Sequence, residues 1–147
     1  MKKSRRNLFC SILTICMILS IALCKPASAM VQSSAYLDWY KGALTPEKGG
    51  GIALTVKVEA CGDMDQVGAS KIVLFESSDG EKFTQIKIYE YEDYPLMMGS
   101  GWFHAKDVAT YQGTPGYAYY AIFYCYAGDA NGHDEKTYTT SVVYARG

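Results

Sequence analysis

Histidine is almost missing from this chain: His104 and His133 are its two examples in 147 residues, and neither stands beside a nucleophile motif. There is no Gly-x-Ser-x-Gly elbow, no His-Glu-x-x-His pair and no glycine loop of the phosphate-cradling kind. Those gaps remove the common hydrolase and nucleotide-binding signatures, so no catalytic residue and no cofactor is expected. Helical periodicity is also lacking, because no ten-residue window repeats its apolar residues at about 3.6. Basic residues are scarce where they would matter. Of the fourteen, five precede Met30, leaving nine against fifteen acidic ones, a formal net charge of −6 for the remainder. An acidic surface without a Lys/Arg cluster excludes nucleic acid and anionic membrane as expected partners.

What is present begins at the N-terminus. Lys2, Lys3, Arg5 and Arg6 precede an apolar run from Leu8 to Leu23, and Ala27-Ser28-Ala29 supplies small residues at the positions a signal peptidase reads. The run is short for a membrane span. Residues 1–29 are therefore read as a signal peptide cleaved after Ala29, and the rest as a secreted protein with no membrane contact after cleavage. Two rivals are an uncleaved anchor and lipidation at Cys24, where Leu23 is larger than a lipoprotein signal favours.

Cys10, Cys16 and Cys24 fall inside the signal, so the exported chain keeps Cys61 and Cys125. Two thiols in an oxidising compartment usually pair, which predicts a Cys61–Cys125 disulfide. The 118 remaining residues are enough to bury a core without depending on that bridge.

Period-two patterning dominates the rest. Residues 30–51 read as a weak N-terminal strand, Ala35 to Tyr40, followed by a Gly-rich connector from Gly42 to Gly51. From Ile52 the alternation is strict: Ile52, Leu54, Val56 and Val58 share one face, and Thr55, Lys57 and Glu59 the other. Two β-rich runs, Lys71 to Glu76 and Phe83 to Tyr91, flank Ser77-Ser78-Asp79-Gly80. Asp-Gly provides the positive φ of a tight hairpin, so these runs are expected to pair antiparallel. A loop from Tyr94 to Gly101 precedes a strand between Trp102 and Tyr111. Tyr117 to Tyr126 is apolar on both faces, as a central strand is. A polar turn from Ala127 to Lys136 leads to a closing strand, Thr137 to Tyr144.

About seven short strands predict an all-β antiparallel sandwich over residues 52–147. The run Pro115-Gly116-Tyr117-Ala118-Tyr119-Tyr120-Ala121-Ile122-Phe123 resembles the turn and following strand of fibronectin type III domains, and Ser78-Asp79-Gly80 ahead of Phe83 is similar to a hairpin of their bacterial versions. The resemblance implies an immunoglobulin-like, fibronectin type III-like fold and no activity. The chain as a whole also resembles small exported proteins of Gram-positive bacteria.

Thirteen tyrosines stand out, five of them (Tyr117, Tyr119, Tyr120, Tyr124, Tyr126) on one strand. With Tyr119, Ala121, Phe123 and Cys125 facing the core, Tyr120, Ile122, Tyr124 and Tyr126 line the opposite face. Those rings, with Tyr138 or Tyr144 as cross-strand neighbours, form the candidate binding site for a surface polysaccharide or another protein. Plain sheet cover is the competing reading. Other constellations are weaker. Asp129, Asn131 and Asp134 miss the calcium-loop spacing, so no metal site is expected; Glu90 and Glu92 read as solvating carboxylates; and a Cys125–His dyad would place its thiol in a buried strand. The expected function is a secreted, non-catalytic binding or interaction module; the alternative is a small secreted hydrolase or a bacteriocin-like toxin.

Overall fold

The computed structural model describes residues 34–147; the expected signal peptide, its cleavage point and Cys10, Cys16 and Cys24 lie outside the described residues. Seven strands follow one another: β1 (Leu37–Pro46), β2 (Gly51–Ser77), β3 (Thr84–Glu90), β4 (Met98–Gln112), β5 (Ala118–Asp129), β6 (Gly132–Thr139) and β7 (Val143–Tyr144). All pair antiparallel within a single sheet, and no α-helix occurs among the described residues. None of those residues belongs to a helix long and apolar enough to cross a membrane.

The sheet is organised by β2, whose 27 residues serve two neighbourhoods. From Ile52 to Glu59 it is paired with β1 on one side and β4 on the other; from Gln66 to Ser77 it is paired with β5, and from Lys71 to Glu76 with β3 on the opposite side. A strand this long buries a face only if the sheet curls over on itself. The curl is visible at Gly42 of β1, where an added Cβ would overlap the ring of Phe123 on β5. Glycine is required there to let the two strands approach. Between the halves lie Ile52, Leu54, Val56 and Val58 from β2 and Tyr119 and Phe123 from β5, all fully buried. The strict alternation of residues 52–59 thus becomes the inner face of the first half.

Several expectations change. The Gly-rich connector does not begin at Gly42: β1 continues to Pro46, and the glycines form only a short 3-10 turn at Lys48–Gly50. The closing turn is narrower than Ala127 to Lys136, since β5 runs to Asp129 and β6 starts at Gly132, leaving Ala130 and Asn131 between paired ends. Beyond Thr139 the closing strand breaks before β7 resumes. The hairpin at Asp79-Gly80 is present, with Lys71 opposite Glu90 and Glu76 opposite Thr84. Gly80 takes φ +75°, and the Asp79 carboxylate accepts from the Glu81 and Lys82 amides, each at 2.9 Å, and from the Ser77 hydroxyl at 2.8 Å. Those bonds, the Lys82 amide foremost, hold the Asp79 carboxyl down to about 2.

The expected disulfide is also corrected. Cys61 and Cys125 are both free thiols, the first exposed and the second buried. Cys125 continues the inward phase of β5 opposite Ala69. Cys61 lies where the pairing of β2 with β4 shifts register between Glu59 and Met64, and its thiol points to the Ser34 carbonyl at 3.8 Å. The two side chains answer to different surroundings.

Candidate functional site

Strand β5 alternates without interruption from Tyr119 to Ala127. Tyr119, Ala121, Phe123, Cys125 and Ala127 are fully buried, and Tyr120, Ile122, Tyr124 and Tyr126 between them are half-buried. Because β5 lies between β2 and β6, its outward residues gain neighbours from both. Register supplies them: Phe75 stands opposite Tyr120, Val73 opposite Ile122 and Lys71 opposite Tyr124 on one side, with Thr137 opposite Tyr124 and Glu135 opposite Tyr126 on the other.

Contacts follow that register. Tyr120 stacks on Phe75 with centroids 4.7 Å apart and planes 4° from parallel, and Phe83 meets it edge-on at 4.9 Å. The Lys71 ammonium lies 4.3 Å from the centre of the Tyr124 ring, a cation–π arrangement. Tyr126 stacks against His133 at 5.2 Å. Burial first, then the nearby Tyr91 and Glu135, raise the Tyr126 phenol above its ordinary range. At the bulge beside this row, the Ser70 hydroxyl donates to the Glu135 carboxylate and lies 3.3 Å from the Tyr124 carbonyl. Along the outward face Tyr124 and Tyr126 are about 7 Å apart, Tyr120 lies about 13 Å from Tyr124 with Ile122 between them, and charged groups edge the row.

Of the five tyrosines assigned to this face, Tyr120, Tyr124 and Tyr126 share it. Tyr144, 59% exposed and paired with Ala118, extends it toward the Gly80 turn. Tyr138 does not belong. It stands directly opposite the buried Phe123, so it faces inward and packs half-buried against the core. Lys71, Phe75, Phe83 and His133 were not foreseen as part of the face; the alternation of Lys71, Val73 and Phe75 against Ile72 and Leu74 was the signal that carried the first two.

The remaining constellations are occupied structurally. His104 is buried, and its Nε2–H donates to the Leu96 carbonyl at 2.9 Å and ties β4 to the 3-10 turn Pro95–Met97. Cys125 is pushed up to about 12 by burial and then by Glu135, so it stays a neutral thiol. Asp129 accepts from the Asn131 amide at 2.7 Å, whereas Asp134 accepts from the Ser34 hydroxyl and the Tyr36 amide, which lower its pKa. These two carboxylates serve different partners. Among the described residues no group of three or more His, Cys, Asp or Glu is placed to hold a metal ion. Glu90 ends β3 opposite Lys71, and Glu92 lies in the turn beyond it. No family model, curated protein or solved structure matches this chain.

Proposed function

We propose that the chain is an exported, non-catalytic binding module whose outward β5 face takes a cell-surface polysaccharide. The observation that carries this reading is the ring row itself: Tyr120, Tyr124 and Tyr126 repeat on one face, each already oriented by a stacked or cationic neighbour. Pre-oriented rings lose little conformational freedom when a sugar stacks on them, and their hydroxyls keep hydrogen-bonding capacity at the rim. Lys71 and Glu135 beside the row add polar partners. A protein partner would use the same rings and is the second outcome of the test below.

We read the curled sheet as immunoglobulin-like, of fibronectin type III kind. The support is local. The Tyr119 hydroxyl accepts from the Thr114 amide at 2.8 Å, five residues upstream across the Pro115-Gly116 turn, the bond that defines a tyrosine corner in such sandwiches. Export rests on the basic, apolar and Ala27-Ser28-Ala29 segments of the sequence.

Serine at Tyr124 and Tyr126 tests the binding surface. Both rings lie half-buried outside the core, so the melting temperature should hold within a few degrees, while retention on surface polysaccharide in a glycan array or pull-down should fall about tenfold or more. Unchanged retention with unchanged melting would end the proposal. Retention lost from protein targets but absent from glycans would move it to a protein partner.

A further inference from the structure

The half of the sheet built from β1, β2 and β4 has an outward face of its own. Trp39 stands opposite Glu59, and Glu59 opposite Phe103, so three adjacent strands place indole, carboxylate and phenyl in one row. Trp39 is 45% and Phe103 44% exposed. Strands about 4.8 Å apart put the two rings on either side of Glu59, so a cation above the carboxylate lies about 5 Å from each, within the ~6 Å reach of cation–π attraction. The adjacent row is different in charge. Lys41 stands directly opposite Lys57, with Ala105 beyond. Like charges directly opposite each other on a sheet destabilise it, and an anion bridging the two ammonium groups removes that cost. The rows are one strand repeat apart, about 7 Å.

Aromatic rings with a carboxylate, next to two lysines directly opposite each other, complement one chemical group: a quaternary ammonium joined through a short linker to a phosphate. We propose that this face binds a phosphocholine ester carried as a pendant group, the trimethylammonium between Trp39 and Phe103 over Glu59, and the phosphate on Lys41 and Lys57. The small Ala105 leaves the phosphate room on the β4 side. A pendant group fits better than a bilayer surface, because Lys41, Lys57 and Glu59 occupy the same face as the rings and charged side chains resist insertion into hydrocarbon. The site does not depend on the tyrosine face, which belongs to the other half of the sheet.

Titration of the purified protein with phosphocholine, choline and inorganic phosphate, read by tryptophan fluorescence and calorimetry, tests it. Phosphocholine should saturate at millimolar concentration or below and bind several-fold tighter than choline. Phe103→Ala should weaken both about 3- to 10-fold. Phe103→Leu, which keeps apolar bulk and loses the π face, should do the same if alanine disturbs the strand. Lys41→Gln with Lys57→Gln should bring phosphocholine down to the level of choline and leave choline unchanged. Tyr124→Ser should alter neither, which separates this site from the polysaccharide face. Absence of saturation with phosphocholine, an undiminished affinity in both Phe103 variants, or co-sedimentation with phosphatidylcholine vesicles at concentrations where phosphocholine itself does not bind would overturn the proposal.

Discussion

Truncating Phe123 to alanine should destabilise the protein by about 3–5 kcal/mol, measured as a shift of the denaturant midpoint at constant slope. Its ring is fully buried and fills the space between β5 and the glycine on β1 that faces it. Gly42→Ala should cost about 1–3 kcal/mol for the opposite reason, since the added methyl collides with that ring and has nowhere to go. The two changes must then interact. With the ring gone, the methyl enters vacated space, so the double variant should be more stable than the sum of the single costs by about 0.5–3 kcal/mol. Strictly additive costs would show that Gly42 and Phe123 do not touch and that the sheet does not curl as described. The pair is 81 residues apart in sequence, which makes the cycle a test of topology and not of local propensity.

A second large effect is expected at alkaline pH. Cys125 is pushed up from 9.0 to about 12, chiefly by burial, with Glu135 adding to it. Tyr119 is pushed up from 10.0 to about 12 by burial and then by its hydrogen bond to Glu76. Tyr89 is pushed up from 10.0 to about 12 by burial and then by Tyr94 and Tyr111. In each case the folded state holds a proton that the unfolded chain releases. The stabilising contribution is complete below the unfolded value and is lost as pH rises toward the folded one. For Cys125 the loss begins near pH 9 and runs at about 1.4 kcal/mol per pH unit; above pH 10 the two tyrosines add to it in the same direction. Denaturant midpoints should therefore be nearly flat between pH 6 and 8 and fall steeply between pH 9 and 12. Cys125→Ala should remove the part that starts near pH 9 and keep the part above 10. A flat profile to pH 11 would mean these groups are solvated in the folded protein.

Local alternation made much of this fold legible. The inward phase of Ile52 to Val58 and the two faces of β5 follow from period two alone, because in both segments one face is closed by the core and a slip of one residue would expose it. The Asp79-Gly80 hairpin was legible for a different reason, the φ +75° that glycine adopts without strain. The segment from Cys61 to Ser70 was not legible. Its glycines and acidic residues break any pattern, and it stays extended through irregular pairing with β4 and β5, partners that lie far away in sequence.

The tyrosine face was legible only as far as one strand could define it. Tyr138 was misplaced because its face depends on the register between β5 and β6, and a turn drawn from Ala127 to Lys136 leaves that register open. Once Asp129 pairs with Gly132, the antiparallel count places Tyr138 against Phe123, on the inside. The Trp39–Glu59–Phe103 row was hidden for the same reason. Its members come from three strands, and no single segment shows that they share a row. The Cys61–Cys125 pairing rested on compartment and cysteine count, and neither places two thiols side by side.

The central claim is that the outward face of β5 is a contact surface. Amide and side-chain chemical-shift mapping of the labelled protein, titrated with cell-surface polysaccharide, tests it most directly. The account predicts shifts confined to Tyr120, Tyr124 and Tyr126 and their cross-strand neighbours Lys71, Phe75 and Glu135, with the alternate residues Ala121, Phe123 and Cys125 much less affected. Shifts absent from this row, or centred on the opposite face of the strand, would contradict it.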